Sequence, residues 1–76
     1  MKKKEKEKIL AYLNSGEEIA VGAGCVIDHA DGEYTQIELI AYTDGVYYWS
    51  NEQIYNFEKN DEVFDKELFE YILKKA

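Results

Sequence analysis

A change of hydrophobic period at residue 19 restricts this chain more than any other feature. From there Ile19, Val21, Ala23, Cys25 and Ile27 alternate with Ala20, Gly22, Gly24, Val26 and Asp28, and a second alternating run extends from Tyr34 to Thr43. A period of two is the pattern of a strand with one buried face. Between the runs, Asp31-Gly32 marks a hairpin, because glycine supplies the left-handed residue that a tight reversal needs.

The register follows from which residues can share a face. Directly paired residues lie on the same side, so a two-residue Asp-Gly loop would set Ile27 and Cys25 beside Gln36 and Glu38 and place charge in the core. A three-residue loop, Ala30-Asp31-Gly32, instead pairs Cys25 with Ile37 and Ala23 with Leu39. This register is the expected one, and it buries Ile19, Val21, Ala23, Cys25, Ile27, Ile37, Leu39 and Ala41 together. Thr43-Asp44-Gly45 repeats the turn chemistry and leads into a short third strand, Val46 to Trp49, with Tyr47 and Trp49 on the core face.

Helical signals flank the strands. Residues 2 to 15 combine good helix formers with an apolar stripe of Ile9, Leu10 and Leu13, and Gly16 is placed to end the helix in a left-handed conformation. Its lysine-rich first two turns oppose the helix dipole and are expected to fray. Ser50 followed by Gln53 resembles a capping box, giving a short helix from Asn51 to about Phe57, with a fourth strand as the alternative. Glu58-Lys59-Asn60 reads as a loop. Asp65 can cap a last helix whose stripe is Phe64, Leu68, Tyr71 and Ile72, with Lys74 and Lys75 suited to its negative end.

The fold class is therefore α+β in a single domain over residues 1–76: N-terminal helix, three-stranded antiparallel meander, short helix and C-terminal helix packed on one sheet face. Leu13, Trp49, Phe64, Leu68 and Ile72 are expected to close the core. The other sheet face, with Val26, Asp28, Tyr34, Gln36, Glu38, Ile40, Tyr42, Val46 and Tyr48, is expected to stay open.

Hydrophobic residues make up 46% of the chain, too many for a disordered segment, while every apolar run is far shorter than the roughly 18 residues of a membrane span. The N-terminal lysines precede only Ile9 to Leu13, too short for a secretory signal, and Cys25 is the sole cysteine. A cytoplasmic protein is the expectation.

Catalytic chemistry finds little support. Cys25 and His29 lie four residues apart on one strand, roughly 13 Å, which is too far for a nucleophile and its base. Cys25 is expected to be a small buried hydrophobe, slow to react with thiol reagents. His29 beside Asp28, Asp31 and Glu33 does not match the spacing of a zinc or calcium loop and reads as a solvated turn. Gly22-Ala23-Gly24 lies inside a strand with no helix after it, so it lacks the mechanism of a dinucleotide fingerprint, and it is expected to form a flat patch against Ile40 and Tyr42. No catalytic residue, cofactor or metal is assigned.

Charge carries more. The chain holds nine Lys, no Arg and 16 Asp and Glu, for a formal charge of -7, and between residues 9 and 73 the only cations are Lys59 and Lys66. Nucleic acid is disfavoured as a partner, since a binder needs cations along the phosphates. An acidic surface with tyrosines suits a basic protein instead. The expected partner-binding residues are Asp28, Asp31, Glu33, Tyr34, Glu38, Ile40, Tyr42 and Tyr48. Self-association through the same open face is the alternative.

From Thr43 onward the residues Asp44, Gly45, Tyr47, Trp49, Tyr55, Phe64, Glu67, Leu68 and Ile72 form a pattern: an Asp-Gly turn, an aromatic strand closed by Trp, then a helix start with Glu and a later Ile. In this the chain resembles small bacterial immunity-type proteins encoded beside toxins. Asp65 stands where that pattern has proline and Leu68 where it has phenylalanine. The resemblance implies a stoichiometric inhibitor of a toxin or nuclease, and it transfers no functional residue.

Overall fold

A computed structural model describes residues 1–75, which form α1 (Lys3–Asn14), β1 (Glu17–Asp28), β2 (Glu33–Thr43), β3 (Tyr48–Ser50), α2 (Asn51–Asn60) and α3 (Lys66–Lys74). The strands make one antiparallel sheet in the order β1-β2-β3. The fold is the expected α+β arrangement, with the helices packed on one face. No helix among the described residues is long and apolar enough to cross a membrane.

Local chemistry explains the helix boundaries. The Ser50 hydroxyl accepts the Gln53 N–H at 3.3 Å while the Gln53 side-chain oxygen accepts the Ser50 N–H at 2.9 Å, so two otherwise unpaired donors are satisfied reciprocally. This box starts α2 and excludes the fourth strand. The helix continues through Glu58-Lys59-Asn60, which is not the expected loop, and stops at Asp61 in a left-handed conformation. Asp65 caps α3 by accepting the Leu68 N–H at 3.0 Å.

The N-terminal lysines anchor α1 where fraying was expected. Lys6 donates to the Glu58 carbonyl at 3.0 Å and pairs with Asp61 at 2.5 Å, at the end of α2. Lys8 donates to the Leu73 and Lys75 carbonyls at the end of α3. Both cations thus sit at the negative ends of other helices, which offsets their poor position on their own.

The core lies between the helices and the β3 end of the sheet. Ile9, Leu13, Trp49, Ile54, Phe57, Leu68, Phe69 and Ile72 are buried in one cluster, and Phe69 meets Phe57 and Phe64 edge-on at 4.7 and 5.1 Å. Phe64 itself is only half-buried. Trp49 donates its indole N–H to the Leu13 carbonyl at 3.0 Å, which joins β3 to the end of α1. Gly16 is required here for space. A Cβ on it would lie 2.6 Å from the Trp49 ring, and the left-handed conformation expected of it is absent.

The hairpin departs from expectation, beginning at its turn: Asp28 pairs with Glu33, so four residues, His29 to Gly32, form the loop where three were expected. The observed partners are Ala20↔Ala41, Val21↔Ile40, Cys25↔Glu38, Ile27↔Tyr34 and Asp28↔Glu33, with irregularities after Glu18, Val21 and Cys25. Gly24 adopts φ +110 within the strand, in the region between the Val21 and Cys25 pairings, a conformation that favours glycine and fits a bulge. Bulges insert extra residues on one strand, so no single register holds and the expected pairing of Cys25 with Ile37 does not form.

Burial shifts accordingly. Glu17 through Gly24 are all exposed, including Ile19 and Val21 of the expected core face, and Ile37 is exposed as well. Cys25, Ile27, Leu39 and Ala41 are half-buried, so Cys25 is not the enclosed thiol expected. Val26 and Asp28, expected on the open face, are buried instead. Gly22 faces the Leu39 side chain, where an added Cβ would come within 3.3 Å, and not Ile40 and Tyr42.

Candidate partner-binding surface

The residues proposed for partner contact separate into enclosed and exposed groups. Asp28 is enclosed: its carboxylate accepts from Asn60 and the Ala30 N–H at 2.9 Å each and from the Tyr55 hydroxyl at 3.0 Å. The Asn60 and Ala30 hydrogen bonds hold its pKa below the usual carboxylate range, with Tyr55 and Lys59 adding to this against a smaller effect of burial. Asp28 is therefore a junction between the hairpin and α2, not a free charge for a partner.

Tyr42 pairs directly with Trp49 and so shares the core face, where it packs half-buried against the cluster. This corrects its expected place on the open face. Tyr48 follows the opposite direction, since it neighbours Trp49 on β3, and it is 73% exposed beside Thr43. Ile40 is half-buried, and its N–H donates to Asn51.

Asp31, Glu33, Tyr34 and Glu38 are exposed, with Tyr34 at 72%. Asp31 also accepts the Glu33 N–H at 2.9 Å, which orders the turn without using its charge. Gly32 takes φ +71 there, as expected. Tyr34 and the Thr43 partner of Tyr48 are nine positions apart on β2, roughly 30 Å along the strand. The two exposed tyrosines consequently stand at opposite ends of the sheet, and the expected continuous patch becomes an acidic tyrosine-bearing turn and a separate aromatic end.

Two clusters tie this surface to the helices. Near the turn, His29 Nδ1 lies 2.6 Å from a Glu62 carboxylate oxygen and Nε2 lies 3.4 Å from Glu52. The Glu62 contact raises the imidazole pKa, partial burial opposes it, and Glu52 raises it further. His29 is thus clasped where a solvated turn was expected. Among the described residues no group of three or more side chains is placed to hold a metal ion. The clasp was invisible in sequence because its partners stand 23 and 33 positions away.

At the far end, Asp44 accepts from the Tyr12 hydroxyl and from the Val46 and Tyr47 N–H groups at 2.9 and 2.7 Å. Burial alone would push the Asp44 carboxyl up, but these hydrogen bonds outweigh it and hold it low. Burial, then Asp44 and Tyr71, push the Tyr12 hydroxyl far above its ordinary value. The Tyr47 and Tyr71 rings meet at 4.9 Å with their planes tilted by 50°, and the Lys75 ammonium lies over the Tyr71 and Tyr12 rings at 4.9 and 5.5 Å. The Asp-Gly turn is accordingly a structural joint.

No family model matches the chain, and neither does any curated protein or solved structure. The surface must be read from its own chemistry. Across the hairpin, Glu17, Glu18, Asp28, Asp31, Glu33 and Glu38 are accompanied by no lysine or arginine. All the lysines fall outside it in sequence; Lys6, Lys8 and Lys75 are engaged with groups of α2, α3 or α1, and Lys59 of α2 lies 3.8 Å from the enclosed Asp28 carboxylate while donating to the Tyr55 hydroxyl. Sequence reading missed the exposed Ile19, Val21 and Ile37, because alternation signals a buried face without stating whether a helix reaches it.

Proposed function

We propose that this chain is a small acidic binding protein of the cytoplasm that inhibits a basic protein partner stoichiometrically, in the manner of an immunity protein or nuclease inhibitor. It acts by occupying its partner and not by catalysis, with no cofactor. The observation that carries this reading is the hairpin, which combines acids without a single Lys or Arg with the exposed Tyr34. Acidic side chains steer the encounter with a basic surface, and an exposed tyrosine supplies contact area that is buried on binding. Asp31, Glu33, Tyr34 and Glu38 form the contact surface in this account. Tyr48 lies outside it, at the other end of β2.

Affinity capture from the native cell, followed by mass spectrometry and reconstitution of the purified pair, tests the proposal. A basic protein bound one to one and inactivated by the chain is the expected result. Capture of an acidic partner whose binding ignores salt would refute it. A second reading is self-association, favoured by the exposed Ile19, Val21 and Ile37, and it requires a dimer mass in solution at micromolar concentration.

A further inference from the structure

Side chains close part of the hairpin's strand edges and leave the first half of β1 uncovered. Asn56 and Glu52 take the outward backbone groups of Ile27 on β1 and of His29 just beyond it, and Asn51 takes the Glu38 carbonyl and the Ile40 N–H on β2. β1 is the outer strand of the sheet, and no side chain of the described residues performs this service along Ile19–Gly24. Edge strands are normally guarded by charge, proline, a β-bulge or a covering element. Here bulges near Glu18 and Gly24 interrupt the edge at both ends, and Ala20 and Val21 between them keep regular pairing with Ala41 and Ile40. These residues read Ile-Ala-Val-Gly-Ala-Gly, all of them exposed, with Val21 at 55%.

Such an edge is a template for another strand, since its unpaired N–H and C=O groups give affinity and its side-chain rows give specificity. Charge selects the occupant. Glu17 and Glu18 precede the segment, and Glu38 is the direct neighbour of Cys25 just beyond it. A second copy would bring two lysine-free acidic hairpins within about a Debye length, roughly 8 Å, whereas a basic strand neutralises one. We infer that the outer edge of β1 along Ile19–Gly24 accepts an extended segment of a basic protein by strand addition. The uncharged centre of that segment packs on Ile19 and Val21, and its terminal Lys or Arg residues lie near Glu17, Glu18 and Glu38. This rests on the proposed preference for basic partners and adds the place and mode of binding.

The test uses the full chain, isotopically labelled, and a synthetic peptide of alternating valine and threonine with a pair of lysines at each end. Saturable shifts of the Ile19–Gly24 amides are expected, weakened roughly tenfold by Val21→Lys, which places a like charge on the edge. A twin peptide N-methylated on alternate residues, unable to complete the ladder, should leave those amides unmoved. Equal binding of the N-methylated twin, or no shift along Ile19–Gly24, overturns strand addition. Lysine-dependent shifts confined to Asp31, Glu33 and Tyr34 overturn the edge site while leaving the preference for basic partners standing. A glutamate-ended twin that binds as well as the lysine-ended peptide sinks both. Concentration-dependent shifts of the same amides in the protein alone, with a doubled mass, would identify a second copy as the occupant and overturn the inference.

Discussion

Asn56 of α2 stands in for a missing strand beside β1: its side-chain amide donates to the Ile27 carbonyl at 2.9 Å and accepts the His29 N–H at 2.7 Å. Both backbone groups point the same way, as the two ends of one ladder step do. Asn56 is buried and also bonds Asn60 and the Glu52 carbonyl, so all its hydrogen-bonding capacity is used within the fold. Asn56→Ala leaves two backbone groups unpaired and is expected to cost about 2–3 kcal/mol in urea unfolding. Asn51→Ala, at a more exposed position, should cost about 1 kcal/mol. A loss at Asn56 no larger than at Asn51 would contradict this role.

Space, not conformation, makes Gly16 necessary. Gly16→Ala drives a methyl into the buried Trp49 ring and should destabilise by about 1–3 kcal/mol. Gly32→Ala meets no atoms within 4 Å, and its cost, about 1 kcal/mol, comes from the positive φ alone. Trp49 fluorescence should change on substitution at Gly16 and stay constant at Gly32.

The joint at the far end of the sheet can be probed by Tyr12→Phe, which removes one hydroxyl and little volume. Loss of the hydrogen bond to Asp44 should cost about 1 kcal/mol and let the Asp44 pKa rise, as read by carboxyl NMR titration. An unchanged titration would mean that the backbone donors alone set the Asp44 charge.

These contacts also fix how stability depends on pH. The folded-state pKa of His29 is raised, so its contribution is fully present below the unfolded value of about 6.5 and is lost as pH rises through the folded value. Asp28, Asp44 and Asp61 are lowered, so their contributions are present above about 3.9 and are lost as pH falls through their folded values. Stability should therefore be greatest between these limits. His29→Gln should flatten the decline on the alkaline side and leave the acid side unchanged, measured by thermal unfolding across pH.

The parts legible in the sequence are those governed by neighbours within a few residues. Ser50 with Gln53, Asp65 before α3 and Gly32 in its turn act over one to three positions, and each performs the expected task. The hairpin was legible as an element but not in its register, because its turn holds four residues and not three, and because the bulges around Gly24 leave no mark in the alternation of Ile19, Val21 and Ala23. Burial was misassigned for another reason: Asp28 is enclosed by Tyr55 and Asn60 of α2, and nothing in β1 states where α2 will lie. In the candidate surface, Asp31, Glu33, Tyr34, Glu38 and Tyr48 are exposed as expected, whereas Asp28 and Tyr42 are structural. The capacity of Asn51 and Asn56 to cap strand edges belongs to contacts 11 to 29 positions apart, beyond any local pattern.

Association kinetics against the captured basic partner, across a range of salt concentrations, test the acidic-hairpin account most directly. Charge reversal at Glu33 and Glu38 should slow association severalfold at low salt and barely alter dissociation, while Tyr34→Ala should speed dissociation about tenfold or more. Tyr42 is unsuitable for this purpose, since it supports Trp49. Rates that are indifferent to salt and to all three substitutions would show that the acidic hairpin is not where the partner binds.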